Sequence, residues 1–233
     1  MKKLLFSLLS LFCCVSIYAQ SSPPNLPHYD DKTIHFGCIL GYNRLSSNMI
    51  EKENRPYFDT VMGFDSERSN GFQLGFIGDL RLCEYLRLRF LPSIIFSDRR
   101  LNYYIDKNGK YIESNVPMEV IYVEAPLEFK IQSKRWRNFR PYLIAGGKFA
   151  YDLASIKRKK ASPDEILMKV NNSEWFYTLG VGFDFYLNYI KLGIEIKSSY
   201  GLNDILVHGY KTMYSDVLDK VKTQIFYINF TFE

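Results

Sequence analysis

"WFYTLGVGFDFYL", residues 175–187, sets a bulky apolar residue at every second position: Trp175, Tyr177, Leu179, Val181, Phe183, Phe185 and Leu187. On an extended strand these share one face, while Phe176, Thr178, Gly180, Gly182, Asp184 and Tyr186 share the other. Soluble and membrane sheets both alternate in this way. The fold therefore turns on which face is inside.

The same format recurs along the chain, in stretches longer than the five or six residues of an ordinary soluble strand. Outside 175–187, residues 32–44 carry Ile34, Phe36, Cys38, Leu40 and Tyr42; 70–82 carry Phe72, Leu74, Phe76, Leu80 and Leu82; 85–97 carry Leu86, Leu88, Phe90, Ile94 and Phe96. The sharpest contrast is 119–132, where Ile121, Val123, Ala125, Leu127, Phe129 and Ile131 oppose Tyr122, Glu124, Glu128 and Lys130. Further strands are expected over 139–152, 189–200 and 222–233, making eight in all. Long connections (45–69, 98–118, 153–173, 201–221) alternate with short ones (Cys83-Glu84, "SKRWRN", Asn188), which puts all the long loops at one end of the sheet. "SPDEILMKV" and "SDVLDKVK" each start like a helical turn, with Ser162 before Pro163 and Glu165, and with Ser215 and Asp216 ahead of lysines.

Glycine decides the orientation. Gly37, Gly41, Gly71, Gly75, Gly146, Gly180, Gly182 and Gly193 lie on the polar face, with Gly78 and Gly147 as exceptions. A closed eight-stranded barrel has a narrow lumen that must mix small with large side chains, whereas an unbroken bulky face suits lipid tails. A tilted strand needs about nine to eleven residues to cross a bilayer, which these supply. The expected fold is all-β: an eight-stranded antiparallel up-and-down transmembrane β-barrel over 32–233, with short periplasmic turns, long extracellular loops and both termini periplasmic.

That register sends Arg81, Arg87, Arg89, Lys130, Arg140, Lys148, Lys191 and Lys197 inward, against Asp79, Glu124, Glu128, Asp152, Asp184 and Glu195. Unpaired, each would cost several kcal/mol in a narrow lumen, so an ion-pair network that fills the barrel is expected and a conducting pore is not. Trp136, Trp175 and Tyr85 fall near strand ends, where interfacial aromatics belong.

Residues 1–19 read as a cleaved signal, with Lys2 and Lys3, an apolar run to about Ile17, and Ala19. Removing it takes the net charge from +5 to +3, too mild for a nucleic-acid partner. Residues 20–31, with "SSPPNLPHYDD", read as an extended periplasmic tether that enters no sheet. Cys38 and Cys83 fall far apart on this reading and are expected to be free thiols.

Little in the chain carries chemistry. Only His208, near Asp204, is expected at the outer end, and a loop histidine is more often solvated surface than a catalytic base. No His/Cys cluster has metal-ligand spacing, and "GVGFDF" lies inside a strand with no helix after it, so no cofactor is implied. Lys157, Arg158, Lys159 and Lys160 fall in an outer loop, where lipopolysaccharide phosphates offer a partner and a solvated charge run is the plainer reading.

Several segments together resemble the PorT-type outer-membrane β-barrel family of the Bacteroidota: "IHFGCILGYN", "LRLCEYLRLRFLPSIIFSDR", "VEAPLEFKIQSKRWRNFRPYLIAGGKFAYDLAS", "GVGFDFYLNYIKLGIEIKSSYGLNDILV" and "IFYINFTFE". The resemblance implies a non-enzymatic accessory of type IX protein secretion, with outer-membrane lipid and other secretion components as partners. It supplies no catalytic motif. Two readings from other classes stand beside it: a small outer-membrane pore or solute-binding barrel, and a lipid A-modifying enzyme using His208.

Overall fold

The computed structural model describes residues 24–51, 61–107, 110–154, 171–205 and 218–233. Its strands are β1 (Ile34–Glu51), β2 (Val61–Glu67), β3 (Ser69–Arg81), β4 (Leu86–Phe90), β5 (Ser93–Lys107), β6 (Lys110–Gln132), β7 (Phe139–Asp152), β8 (Ser173–Tyr186), β9 (Lys191–Gly201) and β10 (Leu218–Phe232). These ten segments make eight staves of one barrel.

β4 and β5 are a single stave interrupted at Pro92, which has no N–H to give the ladder. Register against β6 is the same on both sides of the break, Phe90 opposite Leu127 and Ser93 opposite Glu124. Leu91 N still donates to Pro126 O at 3.1 Å and Phe76 N to Pro92 O at 3.0 Å, so the neighbours carry the stave through. β2 and β3 likewise run as one against β5, with a one-residue slip between the Glu67–Arg100 and Phe72–Phe96 pairs. The slip has the two-against-one character of a bulge. Cys38 of β1 then pairs with Phe76 of β3 on one side and Phe232 of β10 on the other, closing an all-antiparallel cylinder.

The faces are inverted relative to a water-soluble protein. Phe36 is 77% exposed, and Leu127, Leu143, Leu179 and Phe230 also point outward, while Arg89, Lys130 and Glu195 are wholly buried. Water does not sort residues this way, and hydrocarbon does. No helix among the described residues is long and apolar enough to cross a membrane. Backbone groups inside lipid must find partners within the chain, and closed pairing supplies them.

Residues 82–85, 133–138 and 187–190 make the short connections at one end, called here the turn end. At the opposite, loop end the strands run further than their alternation suggests. β5 and β6 continue to Lys107 and from Lys110, so most of 98–118 is hairpin, and the 45–69 connection contains the end of β1 and all of β2. Pairing continues there although the sequence lacks the period-2 signature. The expected turn at 215–222 is corrected in part: Leu218–Lys222 belongs to β10, with Val221 opposite Met49. Ladder pairing prevails over local capping signals at that point. The other expected turn, 162–170, lies outside the described residues.

The N-terminal segment also departs from its reading. Residues 24–33 form no strand, but they are not an extended tether either. Tyr29 N donates to Leu26 O at 3.2 Å and Lys32 N to Tyr29 O at 3.4 Å, with Leu26 at φ 49°. Prolines bar the segment from the sheet yet suit turns, and its polar groups find partners across the turn-end mouth. The signal segment, 1–19, lies outside the described residues.

Candidate functional site: the lumen and its turn-end mouth

Register decides which charges meet. Asp79 on β3 stands opposite Arg89 on β4, Arg89 opposite Glu128 on β6, and Gly182 on β8 opposite Glu195 on β9. In the middle of the barrel Arg89 Nη1 donates to Glu195 Oε1 at 2.5 Å, and Lys130 Nζ to Asp184 Oδ2 at 2.6 Å. Lys197 Nζ donates to Glu128 Oε1 at 3.0 Å and lies 3.4 Å from Glu195 Oε2. Nearer the loop end, Lys148 Nζ donates to Glu124 and to the Tyr227 hydroxyl. Towards the turn end, Arg87 Nη1 donates to Asp79 Oδ1 at 3.1 Å and Lys191 Nζ to Glu233 Oε2 at 2.7 Å.

Three of the inward charges named from sequence lie apart from these deep pairs. Asp152 accepts from Ala154 N at 2.9 Å, at the start of the loop-end connection. Arg140 and the half-buried Arg81 both reach the N-terminal segment at the mouth. Lys157, Arg158, Lys159, Lys160 and His208 lie outside the described residues.

Aromatic rings fill what the charges leave. The Tyr142 hydroxyl donates to Glu195 Oε1 at 2.9 Å, and Lys130 Nζ sits 3.8 Å from the centre of the Tyr142 ring. The ring fits only because Gly182 has no side chain, since a Cβ there would lie 2.4 Å from ring carbons. Gly182→Val is expected to lower unfolding free energy by about 1–3 kcal/mol through overpacking. Gly78→Val, where the nearest atom is 3.8 Å away on the lipid side, is expected to change it little. Urea titration of the two variants in detergent micelles checks the contrast, and equal losses would contradict it.

Towards the loop end the lumen is packed with apolar side chains, among them Leu45, Ile95, Val120, Phe176 and Ile225, and the Tyr122 hydroxyl donates to Glu174. Between the two zones a void of about 10 Å³, bordered by Gln73, Glu124, Glu128, Lys148, Lys197 and Tyr227, has room for about one water. Among the described residues no group of His, Cys, Asp and Glu could hold a metal ion. Cys38 and Cys83 are free and exposed.

At the mouth, one carboxylate from the N-terminal segment gathers the wall's cations. Asp30 Oδ1 accepts from Arg140 Nη1 at 2.9 Å and from the Tyr186 hydroxyl at 3.1 Å, and Oδ2 accepts from Arg140 Nη2 at 3.1 Å and Arg135 Nη1 at 3.4 Å. Arg87 Nη2 lies 3.7 Å from Oδ1, and the Asp30 carbonyl accepts from Arg81 Nη1 at 2.5 Å. Burial alone would raise the Asp30 carboxyl, but Arg140, the Tyr186 hydroxyl, Arg135 and Arg87 together hold it below the ordinary range. A depressed folded-state value means that this contact stabilises the fold above the ordinary carboxylate value and is lost as pH falls through the depressed one. The Asp30 side-chain carboxyl carbon, followed by NMR, is expected to titrate below the ordinary aspartate range, and a midpoint within or above that range would contradict the geometry. Burial, with Glu233 beside it, pushes the neighbouring Tyr29 hydroxyl upward.

Strand parity extends to several lumen residues that were not singled out. His35 and Glu233 continue the inward series of β1 and β10, and Glu174 that of β8. Asp30 and Arg135 carry no periodic signal, because both sit in turns.

The family model of the outer membrane protein beta-barrel domain matches residues 18–207. The chain belongs to that family. Solved barrels in the outer-membrane family's company are distant in sequence. Neisserial surface protein A is 10% identical, covering 86% of this chain and 98% of its own at a TM-score of 0.44. The outer membrane protein OprG from Pseudomonas aeruginosa is 14% identical over 86% and 96%, also at 0.44. Ail, the attachment invasion locus protein of Yersinia pestis, is 10% identical over 86% and 98% at 0.36. No curated protein matches the chain in sequence.

Proposed function

We propose that this outer-membrane barrel is a non-enzymatic, non-conducting structural or assembly factor of type IX protein secretion, equivalent in role to PorT. The turn end and both termini face the periplasm on this reading, and the loop end faces outward. The observation that carries the non-conducting part is the arrangement of lumen charges, which bind one another across the barrel, with a void for about one water beside Glu128 and Lys197. A barrel so filled acts through its surfaces. Support for the secretion role comes from the likeness to PorT of "NFRPYLIAGGKFAYDLAS" and "KLGIEIKSSYGLNDIL", which run along β7 and β9 and into the connections after them.

Lys157, Arg158, Lys159 and Lys160 would meet lipopolysaccharide phosphates at the outer face, and other secretion components would contact the loops and turns. Deleting the gene is expected to abolish export of type IX cargo while leaving other outer-membrane proteins at normal abundance. Cargo in the medium of the deletion strain at wild-type level would remove this reading.

A further inference from the structure

Three guanidinium groups converge where the barrel wall ends at the turn end. Arg87 comes from β4, Arg140 from β7 and Arg135 from the 133–138 turn, and all three lie against one carboxylate, Asp30. With no anion among them they would repel one another. Arg140 donates to Asp30 alone among the described residues, but the wall itself also helps to place the other two. Arg87 is 1% exposed and held by Asp79 at 3.1 Å and by His35 Nδ1 at 2.9 Å, while the Arg135 guanidinium lies 3.6 Å above the Tyr186 ring. The wall therefore supplies the cations of a carboxylate receptor, of the forked kind that arginine suits, with Arg87 fixed by the wall and Arg135 resting on a wall ring.

What fills the receptor is held as a peptide from another chain would be held. Residues 25–31 belong to no strand, and most of their contacts are polar. Asn25 N donates to Asn138 Oδ1 at 2.8 Å, Asn25 Nδ2 to Tyr186 O at 3.0 Å, and Arg135 Nη1 to Leu26 O at 3.2 Å. Tyr29 is the one ring of the segment that enters, stacked on His35 at 4.1 Å between centroids. The hold consists largely of hydrogen bonds and ion pairs to backbone and carboxylate groups, which an acidic segment of another chain also carries.

We propose that the turn-end mouth is a binding site for a carboxylate-bearing peptide, occupied here by the chain's own residues 25–31 and able to take an acidic segment of a partner protein in their place. The inference goes beyond the secretion reading and depends on the mouth alone.

Full-length protein in detergent micelles tests it, with Asp30→Asn as the loosened form, since Asp30 is not part of the wall. Hydrogen exchange over residues 25–33 is expected to rise at least about tenfold in Asp30→Asn, the strands keeping their protection. Unchanged exchange there overturns the proposal. A synthetic peptide of residues 24–33 is then titrated into the Asp30→Asn protein. It is expected to bind at least about tenfold more tightly than the same peptide carrying Asp30→Asn, and to lose that advantage in a protein that also carries Arg135→Gln. An unrelated peptide of equal charge is expected to bind within about tenfold of it. Failure of the wild-type peptide to bind the loosened protein, equal binding of the two related peptides, or no binding of the unrelated acidic peptide each overturns the proposal.

Discussion

Arg89→Met is expected to lower the unfolding free energy by about 3–5 kcal/mol, the cost of leaving buried charge without its partner. Arg89 is wholly buried, donates to Glu195 at 2.5 Å, and also faces Glu233 at 3.8 Å and Asp79 at 3.9 Å. Methionine fills much of the volume but answers none of these carboxylates, which are themselves buried. Adding Glu195→Gln to Arg89→Met is expected to recover part of the loss, because it removes one stranded charge. Equilibrium urea unfolding in detergent or liposomes measures all three proteins. A loss of under about 1 kcal/mol for Arg89→Met would mean that the lumen is wet, with charges solvated rather than paired.

The lumen's charge balance shows why the N-terminal segment and the last residue fold back into the mouth. Alternation alone puts eight basic side chains inside against six acidic ones, an imbalance that a dry interior tolerates poorly. The structure adds Glu174, Glu233 and Asp30 on the acidic side and Arg135 on the basic side, which evens the count. Glu233 follows Phe232 of the outward series with inward parity, and it meets Lys191, Arg89 and Tyr29. Asp30 completes the set from outside the wall. The two ends of the lumen are thus filled by different chemistry, apolar packing towards the loop end and ion pairs with a docked segment at the turn end.

Period-2 alternation made the wall legible in the sequence because every stave borders two unlike media. Arg87, Arg89 and Lys130 alternate with Leu88, Phe90 and Phe129, and neither set could trade places without putting charge in hydrocarbon. Where that contrast ends, legibility ends too. The loop-end half of the β5–β6 hairpin pairs in the same way but its sequence does not alternate, so 98–118 reads as loop. Pro92 divides a stave without altering its register, since Leu91 still points inward among Ile39 and Ile77. The Asp30 cradle joins residues more than a hundred positions apart through turns, and no local pattern in "PHYDD" or "SKRWRN" announces that pairing.

Leu179→Arg is expected to cost about 2–4 kcal/mol, the depth-dependent penalty for a guanidinium near the bilayer midplane. Leu179 lies half-way along β8, is 53% exposed, and pairs with Ala145 and Ser198 on either side. Neither strand partner, Ala145 or Ser198, is acidic, and arginine half-way along the strand is far from either interface. Tyr85→Arg, in the 82–85 connection at the turn end, is expected to cost only about 0–1 kcal/mol, because the side chain begins at the interface. Folding of both variants into liposomes, with urea titration of each, separates depth from mere loss of an apolar contact. If the outer face met water instead of lipid, the ordering would disappear: arginine at Leu179 would be as harmless as arginine at Tyr85, since both side chains would already be solvated.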